Sequence, residues 1–186
     1  MAVDALVTSA TPALAGGLLR RRWAAVSDIH GNLPALEAVI ADAPGVDGWL
    51  NLGDIVSGPL WPRETAALPP QLAPADGPLC VHGTPTGDLQ YLLETVTPAA
   101  LREAGDAEVQ ERLGGTQVAL LLCGHTHLPR DRQLGTMRLA NPGSVGLPAY
   151  DDKHPWPHAA ETGSPQARCA VVDHDGSGRV GRREVS

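Results

Sequence analysis

Four apolar runs in this chain each stop at a glycine beside an aspartate or a histidine, and no other feature limits the fold as much. Trp23 to Ser27 ends in Asp28-Ile29-His30-Gly31-Asn32, and Gly48 to Leu52 ends in Gly53-Asp54. Leu79 to Val81 ends in His82-Gly83, and Val118 to Cys123 ends in Gly124-His125-Thr126-His127. Short apolar runs bounded by turn residues read as buried strands. In open α/β sheets, the groups that follow the carboxyl ends of strands converge on one crevice although they lie far apart in sequence. The pattern therefore predicts that Asp28, His30, Asp54, His82, His125 and His127 meet.

Imidazole and carboxylate together suit borderline divalent metals such as Mn, Fe, Zn, Co or Ni. Two such ions close together can clamp a phosphate and acidify a water, and a carboxylate between them can bridge the pair. Each piece alone is ambiguous. Asp28-x-His30 reads equally as a helix-start hydrogen bond, Gly53-Asp54 as a turn, and His82 as a packed histidine. Gly124-His-Thr-His127 is more specific, and the joint occurrence at strand ends carries the reading.

The remaining pattern places a helix over Leu33 to Asp42, with Pro34 in its first turn and Leu36, Val39 and Ile40 on one face. Further helices are predicted at Pro62 to Leu68, Leu89 to Thr95 and Asp106 to Leu113. Later strands are predicted at Met137 to Ala140, Cys169 to Val172 and Arg179 to Arg183. Residues 1–21 read as a loose extension and 22–186 as one domain, a size at which a single core suffices. The charge order around the apolar N-terminal residues is the reverse of a secretory signal, and no apolar run reaches the ~20 residues of a membrane span. A cytoplasmic protein without membrane contact is expected. The net charge of −7 argues against a nucleic-acid polymer as partner. Cys80, Cys123 and Cys169 read as buried free thiols, and His154, His158 and His174 as surface residues. Asp151 and Asp152 are expected in a turn.

The segments SDIHGN, LGDIVSGP, CVHGTP, LCGHTH and NPGSVGLPAYDD together resemble the calcineurin-like metallophosphoesterase superfamily, and most closely its small bacterial phosphodiesterase branch. The resemblance runs from about Trp23 to Asp173. It implies a four-layer α/β/β/α sandwich of two mixed sheets. It also implies that Asp28, His30 and His127 hold one divalent ion, that His82 and His125 hold a second, and that Asp54 bridges them, with manganese favoured. The implied reaction is hydrolysis of a small phosphoester, a phosphodiester above all, by a hydroxide that bridges the ions. Ile55-Val56-Ser57 stands where protein phosphatases of the superfamily carry Asp-Arg-Gly. Asn141-Pro142-Gly143-Ser144 is similar to a segment near the site in these proteins, with packing or substrate positioning as its two readings. A homo-oligomer is left open.

One motif of the superfamily is missing. Relatives carry Gly-Asn-His between the Gly-Asp turn and the third strand's histidine, where the Asn binds the second metal and the His faces the leaving group. This chain has no Asn-His pair; its asparagines are Asn32, Asn51 and Asn141. An internal segment therefore reads as absent before the Pro-rich stretch 68–77. Four protein ligands would remain for the first metal and three for the second, so a weakened second site, reduced turnover and lower stability are expected. The alternative is a non-catalytic metal- or nucleotide-binding protein that retains the fold.

Overall fold

The structure, a computed structural model, describes residues 21–58, 60–61, 77–174 and 179–185. The predicted extension 1–21, apart from Arg21, and the predicted helix Pro62 to Leu68 lie outside these residues. The first of the two larger sheets contains β1 (Arg21–Val26), β2 (Gly48–Asn51), β11 (Ala167–His174) and β12 (Arg179–Val185), in the order β12-β11-β1-β2. Here β1 is parallel to β2 and antiparallel to β11, with Trp23 opposite Gly48 and Val172. The second contains β3 (Leu79–Cys80), β6 (Leu120–Leu122), β7 (Arg130–Leu134) and β8 (Met137–Asn141), in the order β3-β6-β8-β7. Two ribbons complete the strands: β4 (Glu94–Val96) with β5 (Leu101–Glu103), and β9 (Ala149–Asp152) with β10 (His158–Glu161).

Side-chain alternation along the strands assigns the layers. Trp23 and Ala25 of β1, Leu50 of β2, Leu120 and Leu122 of β6, Ala140 of β8 and Ala170 and Val172 of β11 form one buried cluster between the two sheets. Residues one step out of phase face outward. Val26 and Cys169 pack with Leu36 and Val39 of helix α1 (Leu33–Asp42), while Leu121 and Leu139 pack with Val109 of helix α2 (Asp106–Arg112). The result is the four-layer sandwich, with each helix covering one outer face.

Both described helices begin as the sequence implies. Asn32 caps α1, its Oδ1 accepting from the Ala35 amide at 3.3 Å, with Pro34 in the first turn. Gly105 starts α2, and the Glu108 carboxylate takes the Gly105 amide at 2.7 Å. The helix expected at Leu89 to Thr95 is instead a turn leading into β4. The cause lies just beyond it: Thr97 Oγ1 accepts from the Ala99 and Ala100 amides around Pro98, closing a β4–β5 hairpin. The turn places Leu92 and Leu93 in the outer core, and Glu94 opens β4 with its side chain buried. Asp151 and Asp152 lie in β9 rather than in a turn. The three cysteines are free, and burial pushes the Cys80 thiol up to about 12.

Candidate metal centre

Four crossovers deliver the six predicted side chains to one end of the sandwich. The turn after β1 carries Asp28 and His30, the turn after β2 carries Asp54, the turn after β3 carries His82, and the turn after β6 carries His125 and His127. They fall into two groups, Asp28 with His30 and His127, and Asp54 with His82 and His125. In each group one ligand atom per residue lies within 4.8 Å of the others. Asp54 Oδ2 stands between the groups, 3.6 Å from His82 Nε2 and 3.9 Å from His30 Nε2.

The backbone of these turns is unusual in a way that identifies them. The non-glycine residues with positive φ among the described residues are Asp28, His30, Asp54, His125 and His127, at 50° to 70°. A side chain in this left-handed region costs roughly 1–2 kcal/mol, and such conformations concentrate at functional sites. The turns are pinned to one another by backbone bonds. The Asp28 amide donates to the Gly53 carbonyl (3.1 Å), His30 to Asp54 (2.9 Å), Gly31 to Ile55 (2.8 Å) and Gly124 to His82 (2.7 Å).

Hydrogen bonds at the far side of the imidazoles set what faces inward. His82 Nδ1 lies 3.0 Å from the Leu52 carbonyl, and His127 Nδ1 lies 2.5 Å from the Leu147 carbonyl. A carbonyl only accepts, so each Nδ1 carries a proton, and the Nε2 atom of such a ring, when the ring is in its metal-binding form, presents a lone pair. For His127 that lone pair points at Asp28 Oδ1 (3.3 Å) and at His30 Nε2 (3.1 Å). Asp28 is wholly buried, and its Oδ1 has no hydrogen-bond partner. A buried carboxylate oxygen without a donor, opposite imidazole lone pairs, is a cluster of acceptors that calls for a cation at its centre. The donor set fits a divalent metal.

Ionisation follows the same logic. Burial, then the neighbouring His127, pushes the His30 pKa down; burial and His82 do the same to His125. Neutral imidazole and ionised carboxylate are the metal-binding forms.

The Asn141–Ser144 turn buttresses this arrangement, in keeping with the packing reading. Asn141 Nδ2 donates to the Gly124 carbonyl (2.9 Å) and to Thr126 Oγ1 (3.1 Å), and the Ser144 hydroxyl donates to the Asp28 carbonyl (2.8 Å). Gly124 is required by close approach: a Cβ there would fall 1.9 Å from Ser27 Oγ and 3.1 Å from Asp28 Oδ2. We predict that Gly124→Ala costs ~1–3 kcal/mol of stability, read by urea unfolding, and loosens the His125 amide from Asp28 Oδ2, now at 3.2 Å. A midpoint like that of the unsubstituted protein would contradict this.

The sequence reading missed the aromatic groups beside the site. Tyr91 and Tyr150, the chain's two tyrosines, share a 2.6 Å hydroxyl–hydroxyl bond. Their rings lie 4.9 Å from that of His125 and 4.5 Å from that of His127, respectively. His158, expected at the surface, is buried, with Nδ1 on the Trp156 carbonyl (2.8 Å) and Nε2 3.3 Å from the Tyr91 hydroxyl. No periodicity marks these residues, because ribbon strands with one buried face in two give little signal over so few positions. His154 is exposed, as expected.

Comparison with known proteins agrees with this fold. The family model of the calcineurin-like phosphoesterases matches residues 21–83, which hold three of the four turns. No curated protein matches the sequence significantly. Among solved structures, a metallophosphoesterase from Sphaerobacter thermophilus is similar with a TM-score of 0.64 and 21% identity, over 90% of this chain and 88% of that one. A hypothetical protein from Pyrococcus horikoshii OT3 is similar with a TM-score of 0.60 and 17% identity, over 89% of this chain and 88% of that one. The fold is that of the metallophosphoesterases. No helix among the described residues is long and apolar enough to cross a membrane.

Proposed function

We propose that this protein of the calcineurin-like phosphoesterase superfamily is a hydrolase of small phosphodiesters that uses two divalent cations, manganese favoured. The observation that carries the reading is the position of Asp54, whose Oδ2 reaches toward both groups of ligands at 3.6 and 3.9 Å. Bound divalent ions would supply the charge that polarises a phosphoryl oxygen and lowers the pKa of water. Hydrolysis adds water across one P–O ester bond and releases a phosphomonoester and an alcohol or phenol.

The chain's own residues do the rest. The Leu52 and Leu147 carbonyls fix the His82 and His127 tautomers, so both rings keep Nε2 lone pairs turned inward. Asp28 and His127 are buried, whereas His30, Asp54, His82 and His125 are only partly so. This supports a tight first site and a weaker second one, which three protein ligands plus water suffice to form.

A second reading, a metal-binding protein without turnover, is favoured by one observation: no Asn-His pair exists to complete the second site or to face the leaving group. Loss of general acid catalysis typically slows a reaction by ~10²–10⁴-fold, so the first reading expects slow turnover. Hydrolysis of a chromogenic phosphodiester by the purified, folded protein decides between them. Release that depends on added manganese and stops with a chelator supports the enzyme. Absence of any metal-dependent release, in a protein that unfolds cooperatively, supports the second reading. The proposed setting is cytoplasmic, without membrane or nucleic-acid partners.

A further inference from the structure

The large hydrophobic side chains exposed among the described residues are Val56, Leu60, Trp61, Leu89, Leu147 and Trp156, from 37% exposed at Leu147 to 90% at Leu89. They are not scattered. Val56, Leu60 and Trp61 belong to the segment that follows Asp54, which is held to the Asp28–Asn32 turn by Gly31 N to Ile55 O (2.8 Å) and Trp61 N to Gly31 O (2.9 Å). Leu89 offers its carbonyl to the His125 ring, and Leu147 offers its carbonyl to His127 Nδ1. Trp156 holds His158, which in turn meets the Tyr91 hydroxyl. Trp61, Leu89, Leu147 and Trp156 are thus joined by hydrogen bonds to the surroundings of the candidate metal centre, and Val56 and Leu60 are chain neighbours of Ile55 and Trp61. Single exposed apolar residues need no explanation, but a set gathered around a polar site marks a binding surface.

The charged residues argue in the same direction. The arginines that follow the His127 turn are engaged with carboxylates outside the site: Arg130 with Glu94, Arg132 with Asp106, and Arg138 with Asp131. A substrate with several phosphates would need cationic side chains around the metals. Among the described residues, the apolar side chains near the site and the Tyr91 and Tyr150 rings beside His125 and His127 suit a single phosphoryl group that carries a bulky apolar ester arm.

We infer that the substrate is a phosphodiester with one large apolar arm, alkyl or aryl, which lies on this surround while the phosphoryl group meets the metal ligands. The inference rests on the proposed hydrolytic reading for the phosphoryl group, and on the apolar residues alone for the arm.

Binding and turnover separate the two. Octylphosphonate and methylphosphonate are titrated calorimetrically into the manganese-loaded full chain. The octyl compound is expected to bind ~10-fold or more tightly, since several methylenes leave water. Leu89→Ser, at a position exposed enough to leave folding untouched, is expected to reduce that ratio, and Leu89→Ser with Leu147→Ser to reduce it further. Equal affinity for the two phosphonates, or a ratio unmoved by both variants, overturns the inference and leaves the apolar surround to a protein partner. Hydrolysis of methyl p-nitrophenyl phosphate and octyl p-nitrophenyl phosphate, which share a leaving group, is then compared. Manganese-dependent turnover of both with equal kcat/KM would overturn the apolar arm while hydrolysis stands. Tighter octylphosphonate binding without turnover of either ester would sustain the arm and refute hydrolysis.

Discussion

Replacing Asp54 by asparagine should lower manganese-dependent phosphodiester hydrolysis by ~10³-fold or more, because two-metal catalysis supplies several kcal/mol of transition-state stabilisation. The carboxylate is the group that lies within 4 Å of ligand nitrogens from both halves of the site. An amide of the same shape keeps one weak acceptor and loses the charge. Asparagine is the informative choice. Asp54 has φ of 51°, a conformation that asparagine tolerates well and alanine does not. Alanine would add backbone strain of roughly 1 kcal/mol and confuse a catalytic loss with a folding loss. With asparagine, thermal unfolding of the metal-free protein should stay close to that of the parent while turnover collapses. Turnover that survives in Asp54→Asn would refute a metal pair shared through this residue.

The largest effect on stability is expected from Arg130→Ala. Glu94 of β4 has a wholly buried side chain, and Arg130 Nε lies 2.8 Å from its Oε1. Burial pushes the Glu94 carboxyl up, while the Arg130 charge and the Thr126 hydroxyl pull it down. Removing one member of a buried pair strands the other, at a cost of ~3–5 kcal/mol; with 31% of the Arg130 side chain exposed, the low end applies. The sign of the pH dependence follows from linkage. A carboxyl whose folded pKa is raised contributes full stability below the unfolded value of about 4.3, and that contribution is lost as pH rises through the folded value. Arg130→Ala raises the folded value further, so its deficit relative to the parent should be large at pH 7 and small at pH 4. Urea unfolding at the two pH values measures this. A deficit independent of pH would mean that packing, not charge, explains it. Because Thr126 sits between His125 and His127, the pair also braces the turn that carries them.

The parts of this protein that were legible in its sequence are those where several weak signals coincide. The four apolar runs ended where β1, β2, β3 and β6 end, to within one or two residues. Pro34 marked the first turn of α1 because that preference is local, whereas the Asn32 cap became visible only in the structure. Convergence of the six polar residues was readable in part, since parallel neighbours such as β1 with β2 and β3 with β6 deliver their carboxyl ends to one side; that two separate sheets share that side is a tertiary fact. The ribbons were not readable. Leu89 to Thr95 carries apolar residues at Leu89, Leu92 and Leu93 that mimic a helical face. Only the Thr97–Ala100 turn, held by a threonine hydroxyl, tips it toward a hairpin. Tyr91, Tyr150 and His158 were invisible for a related reason: each is one residue on a short strand or turn, and their meeting is a tertiary event. His158 in particular lies in a Pro- and Trp-rich stretch that resembles surface loop, yet β9 and β10 fold it inward.

The five left-handed residues have a consequence for the exchange of ions. Their turns are held by bonds that do not involve a metal: amide to carbonyl between turns, and Asn141 and Ser144 from below. The ordering entropy and the backbone strain of these turns are thus met by bonds within the protein, so binding an ion would have little further backbone to order. A chelator that strips the ions should therefore leave a chain that still unfolds cooperatively, but at a lower temperature, because Asp28 Oδ1 would then stay buried without a partner.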